Sequence, residues 1–481
     1  MRSTFNHIAL LSLFLPGVLL AAPGLTIYNQ NFAVVRDTVP LDLKTGVNDV
    51  TFDRATLLLE PDSVILRDPS GSPLQVLEQN YRNDPVTQPL LLSLFEGKEL
   101  DFLVHEINKP DRVVRGTIIR SGYVPHGEAV QPIIQVDGKI QFSLPGEPAF
   151  PSLGVETILK PQLNWKINVP KAIKTEAEVG YITGGMSWEA SYNLVLPEKG
   201  DLMDVVGWIT MDNQSGRAFS EAKISLMAGD VNKIADMRPG GGAGRVMNAM
   251  AFAESAAVVS EKTFDEYHLY TLERPATLKD REKKQVEFVR ATGVKSEELC
   301  IYDGTAMSEM QWRPMDPNFR RINEEFGTQS NTKVTVFRQF RNTKENGLGI
   351  PLPKGRLRFY RSNGTQLEFI GENSIDHTPS DELVKIKTGD SFDLVGERKR
   401  VSFKVDQANH WADESFEISL RNRKKESVSI RVVEHLYRWS NWEITKKSDD
   451  FTKLDSDKIE FLIPVKAGEE RKVTYTVHYS W

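Results

Sequence analysis

The sequence predicts a mainly β protein: several antiparallel β-sandwich or small-barrel domains in tandem, the C-terminal one immunoglobulin-like. Three observations lead there. Apolar and polar residues alternate with period two in short runs along most of the chain, and Gly, Pro, Asn and Asp bound those runs. No heptad pattern or clear internal repeat competes with this. A length of 481 residues with 40% hydrophobic side chains is enough for several cores, with about three domains as a prior.

Taken in order, residues 1–22 read as a secretory signal peptide. Arg2 supplies the positive end, Ala9 to Leu20 the apolar core, and Ala21 and Ala22 the small residues for cleavage. The run is broken by Pro16 and Gly17 and falls short of the roughly 20 residues of a membrane helix. Residues 23–170 form the N-terminal β region. Its barrel-like part includes Ile133 to Val136, Asp137-Gly138, then Ile140 to Phe142, a two-residue hairpin signal. Leu163, Trp165, Ile167 and Val169 then alternate.

Residues 171–237 are the first part of a central sandwich, with Ala177 to Ile182, Trp188 to Leu196, Val205 to Met211 and Ala222 to Leu226 as strands. The run Pro239 to Gly244 and the Ala/Met/Ser-rich stretch after it mark residues 238–260 as a flexible linker. Residues 261–395 are the second central part. Within it, Lys279 to Lys284 reads as a short helix or as a strand with a turn. Residues 396–481 are the immunoglobulin-like sandwich. There Phe416, Ile418 and Leu420 alternate, Asn422 to Glu426 turn the chain, Val428, Ile430 and Val432 return, and Val473, Tyr475, Val477, Tyr479 and Trp481 share one face.

Charge and composition narrow the function. Sixty Lys and Arg against 66 Asp and Glu give a net charge of −6, without the basic footprint of a nucleic-acid binder. A mean hydropathy of −0.36 excludes a polytopic membrane protein. Cys300 is the only cysteine, so no disulfide forms within the chain. Its neighbours, Glu298, Leu299, Ile301 and Tyr302, are acidic or apolar and raise a thiol pKa, which points to a buried bystander.

Four groups of segments carry a family resemblance. They are Trp188 to Leu194 with Asn213 to Gly216 and Leu226 to Asp230; Phe264 to Tyr270 with Lys284 to Val286; Gly347 to Gly355 with Phe369 to Glu372 and His377 to Pro379; and Asn441 to Ile444. In this order they resemble the bacterial secreted domain-of-unknown-function family 4139, whose relatives include mucoidy-inhibitor-like proteins. The resemblance covers about 175–481. It implies an exported envelope protein and brings no catalytic mechanism that maps onto these residues. Each motif also has a plain physical reading. Gly347-Leu348-Gly349 before Pro351 and Pro353 is a tight turn into extended chain, Asn213 to Gly216 is turn chemistry, and Trp188, Tyr192 and Leu194 are core.

Catalytic patterns were sought among the remaining residues. His105, His126, His268, His377, His410, His435 and His478 form no H-x-H or H-E-x-x-H, since Lys109 stands where the second histidine of a zincin would follow His105-Glu106. The strings Ser220 to Lys223, Ser191 to Asn193 and Lys387 to Gly389 match penicillin-recognising motifs, but in the wrong order, and Ser220 leads into a strand. No phosphate loop or G-x-S-x-G elbow occurs. We nominate no catalytic, cofactor-binding or metal-ligating residue. The expected role is structural or interactive in the cell envelope, with an envelope protein or a surface glycan as partner and no nucleic acid. Carbohydrate binding is the first alternative, with Trp312, in a polar loop with Tyr302, as the stacking candidate. A hydrolase assembled from residues distant in sequence is the second. The mature chain should begin at Ala22 or Pro23; N-terminal sequencing of envelope material that finds Met1 retained would reject the leader.

Overall fold

The computed structural model describes residues 22–83, 86–105, 110–124, 130–151, 153, 158–229, 231, 233, 259–264, 267–305, 317–328 and 330–481. It is mainly β, built of several separate sheets, as the alternation requires. The chain divides into two compact units that interleave along the sequence. One comprises Met1–Ser187, Asp212–Leu226 and Arg274–Lys283; the other comprises Trp188–Met211, Met227–Glu273 and Lys284–Trp481.

In the first unit, the strand Phe32–Leu43 pairs antiparallel with Gly24–Tyr28 on one side and Ile173–Gly184 on the other. Gln162–Val169 lies between Gly46–Phe52 and Gln75–Arg82. Its Leu163, Trp165, Ile167 and Val169 are all buried, as their spacing predicts. Glu147–Ala149, Glu99–Val104, Arg112–Arg120, Ile133–Val136 and Lys139–Gln141 make a five-stranded sheet. Its core holds Leu92 of the helix Gln88–Leu94 together with Leu100, Phe102, Ile118 and Ile134. Asp137 and Gly138 both have positive φ, 47° and 75°, which is the backbone a two-residue hairpin demands. Among the described residues the barrel-like closure expected here does not occur, because the edge strands Glu147–Ala149 and Lys139–Gln141 do not pair with each other.

In the second unit, a two-layer sandwich carries the C-terminal core. Leu383–Asp406, Trp411–Asn422, Glu470–Ser480 and Trp442–Lys447 pair in that order. The end of Glu282–Asp303 pairs with Val428–His435, which pairs in turn with Lys458–Val465 and then Phe451–Lys453. Phe416, Ile418, Val432, Phe461, Val473 and Tyr475 from both groups share one core. The pairings of Cys300 with Ile430 and of Ala190 with Gly355 run parallel rather than antiparallel. Period-two alternation is the same for both directions, so the sequence does not separate them.

Two expected boundaries fall inside strands. Position 395/396 lies within Leu383–Asp406, and 260/261 lies within Val259–Phe264. Residues 1–21 of the expected signal peptide and most of the expected 238–260 linker lie outside the described residues. The island Lys279 to Lys284 resolves as a turn at Asp280 and Arg281 entering the strand Glu282–Asp303.

Three fully buried asparagines fasten turns to sheets. Asn213 Nδ2 donates to the carbonyls of Arg217 and Lys279, while its Oδ1 accepts from Ser215. Asn342 does the same for Ile350 and Pro379 and accepts from the Gly349 amide. Asn422 holds Glu426, Val465 and Lys466. Each side chain takes the place of backbone partners that a turn leaves unpaired.

The last strand gives a direct test. Val477 is fully buried, whereas Thr476 faces outward and shares a hydroxyl hydrogen bond with Ser415. Val477→Asp should cost more than about 3 kcal/mol through an unpaired buried charge, and Thr476→Asp well under half of that, read from urea unfolding curves. Equal losses would show that this strand does not face a core.

Candidate functional site

A cleft of the first unit has a volume of about 770 Å³. The sequence places charged side chains in it from four stretches: Asp37 from Phe32–Leu43, Asp53 and Arg54 just after Gly46–Phe52, Lys160 before Gln162–Val169, and Arg217, Ser220 and Glu221 around the start of Phe219–Ala228. That last strand is bulged. Its register with Ala276–Leu278 shifts between Phe219 and Ala222, and Glu221 adopts a left-handed backbone with φ 47°. Thr277 holds the bulge: its hydroxyl accepts from the Glu221 amide and donates to the Glu221 carboxylate.

Asp37 sits at the base of the cleft, 3% exposed. Arg217 Nη2 reaches its Oδ2 at 2.5 Å, Arg54 Nη1 lies 3.6 Å from Oδ1, and the Thr38 amide donates to Oδ1 at 2.8 Å. Arg217 also donates to the Arg54 carbonyl and the Tyr181 hydroxyl, and its guanidinium lies over the Phe219 ring. Burial raises the Tyr181 phenol, with Arg217 opposing. A carboxylate with both oxygens engaged and a guanidinium spread over three acceptors are fastened rather than poised for proton transfer. Among the described residues, Asp53, Lys160 and the Ser220 hydroxyl have no protein partner, so these are the groups offered to a small polar molecule.

The second unit explains the family-like motifs. Trp188 Nε1 donates to the Met227 carbonyl, Tyr192 Oη to Pro353 and Tyr270 Oη to Pro351. The prolines of Gly347 to Gly355 thus keep their carbonyls turned toward buried aromatic tips, which pays for burying those tips. Burial pushes both phenols well above their ordinary range. Gly347 and Gly349 have φ of 71° and 89°, the turn the sequence indicated.

The other residues weighed from sequence find structural places. Cys300 is buried and its thiol is raised, first by burial. Four histidines face carboxylates: His105 with Asp111 and, at 3.9 Å, Glu147, His268 with Glu261, His435 with Asp303 and His478 with Asp413. His377 accepts from the Lys354 amide, and His410 offers its carbonyl to Trp481. No group of three or more metal-ligating side chains occurs among the described residues. Ser220, Ser191 and Lys387 all lie on strands.

The glycan candidate changes. Tyr302 is fully buried, its hydroxyl donating to the Asn331 carbonyl and its phenol pushed up to about 12 by burial, so it is no stacking platform. Trp312 and His126 lie outside the described residues. Sequence reasoning missed the Asp37–Arg217 pair altogether, because 180 positions separate its members.

Comparison with protein-family models and with curated proteins found no match to this chain. Among the described residues, no helix is long and apolar enough to cross a membrane.

The His435–Asp303 contact, 2.9 Å between Nε2 and Oδ2, predicts a pH effect. Asp303 raises the imidazole above its ordinary value against the opposing effect of burial. A raised histidine contributes its full stability below the unfolded pKa and loses it as pH rises through the folded one. The melting-temperature deficit of His435→Gln relative to wild type should therefore be larger at about pH 5.5 than at about pH 8.5. A deficit that grows with pH would reject the ion pair.

Proposed function

We infer that this chain is an exported bacterial envelope protein, periplasmic or secreted, with a non-catalytic structural or protein-interaction role. One observation carries the interaction reading. Gly355–Asn363 and Gln366–Ile375 form a hairpin, and the second strand is the outermost of its sheet. That strand turns apolar side chains to solvent: Leu367 is 57% exposed, Phe369 55% and Ile370 38%. Phe369 packs edge-on against Tyr360, and Arg356, Arg358 and Glu372 flank the pair with charge. Asn373 fastens the hairpin to the Lys387 carbonyl, on the strand that also carries Phe392, 96% exposed. Aromatic and aliphatic residues ringed by charge, on a fixed strand, fit the composition of a protein contact surface. Export is supported by the apolar run and small residues of the N-terminus, and the envelope by the family resemblance.

A second reading, carbohydrate binding, is favoured by the cleft above Asp37, where Asp53, Lys160 and Ser220 stand ready for hydroxyl groups.

A photo-crosslinking residue at position 369 should yield one discrete protein adduct in the envelope of the producing cell. Leu367→Asp combined with Phe369→Asp should abolish co-purification of that partner with little change in melting temperature, since both side chains are exposed. A partner retained by the double variant, or no adduct at all, would overturn the interaction reading.

A further inference from the structure

We propose that Arg321, held between Trp439 and Trp481, is a binding site for a carboxylate carried on a small ring, such as an acidic sugar. Arg321 lies in the short helix Pro317–Ile322. Its guanidinium carbon is 3.5 Å from the centre of the Trp439 ring and 5.5 Å from that of Trp481. Among the described residues this guanidinium has no ion pair and no hydrogen bond, and its Nε is buried without a partner.

Four other arginines in protected places have acidic partners. Arg217 pairs with Asp37, Arg338 with Asp201 and Glu298, Arg398 with Glu434, and Arg438 with Glu414. A buried Nε–H without an acceptor is costly in a folded protein, while the Nη groups, which are not among the buried unpartnered atoms, are the donors an arriving oxyanion can reach. A planar guanidinium matches a carboxylate through two parallel hydrogen bonds, and the indole faces beside it suit the body of a ring.

The site is held in place. Arg438 donates to the carbonyls of Arg320, Asn323 and Phe326, with a longer contact to that of Arg321 itself. The Trp481 amide donates to the His410 carbonyl at 2.9 Å, and the Ser480 amide to Asn441 at 3.2 Å. The backbone that carries the fork and one of its walls is therefore fastened before any ligand arrives, which lowers the ordering cost of binding. The competing explanation is that Arg321 merely covers two tryptophans by cation–π packing.

Tryptophan fluorescence of the full mature chain separates the two. Sodium glucuronate should give a saturable change, with sodium chloride at equal ionic strength as the reference. Arg321→Lys keeps the charge but loses the fork, and should weaken binding about tenfold. Arg321→Leu should abolish it; should that variant unfold, the lysine variant decides. The site is overturned if glucuronate gives no saturation, if only inorganic phosphate saturates, or if Arg321→Lys binds like wild type.

Discussion

Arg438 has no exposed surface, and much of the C-terminal sandwich is arranged around its donors. Its Nη2 reaches Glu414, which is also fully buried, at 2.7 Å and the Phe326 carbonyl at 3.1 Å, while its Nη1 holds Arg320 and Asn323. Beside it, Arg398 donates to Glu434 and to the Gly327 carbonyl, and the Tyr475 and Tyr437 hydroxyls donate to Glu434 and Gly327. Charges removed from water must find each other and the nearby carbonyls. Taking one member away leaves its partner stranded, at a cost of about 3–5 kcal/mol. The segment 317–328 is thus fixed to the sandwich by polar bonds, with Phe326 packing edge-on against Tyr437.

The same device recurs where charge is absent. With a single cysteine, the chain has no covalent staple of its own. Asn213, Asn342 and Asn422, and the hydroxyls of Tyr192 and Tyr270, cross from sheet to loop and hold backbone carbonyls in place. Loops fastened in this way leave a hairpin such as Gly355–Asn363 with Gln366–Ile375 a defined surface to present. A contact surface on a fixed strand loses less entropy on binding than one on a mobile loop.

The acidic and basic groups read most naturally as construction. In the first unit Asp37 gathers Arg54 and Arg217, which in turn hold the carbonyls of Thr38 and Arg54. What such a cleft leaves over for a ligand is its rim, not its base. Arg321 in the second unit differs, a cation set against aromatic rings.

Alternation alone determined that Leu163 to Val169 and Val473 to Tyr479 bury every second side chain, and Asp137-Gly138 alone determined a hairpin, since these depend on neighbours two residues apart. Composition determined that no disulfide forms within the chain, and the bias of its neighbours correctly marked Cys300 as a raised, buried thiol. Partner choice was decided only in three dimensions. Cys300 meets Ile430 in parallel, the two units interleave, and Tyr302 turns inward although its neighbourhood in sequence is polar. Asp37 finds Arg217, and Arg321 finds Trp439 and Trp481, across more than a hundred positions. Strand periodicity is a local property that any partner satisfies, whereas register, direction and the meeting of distant charges are set by which cores close and which buried groups must be paired.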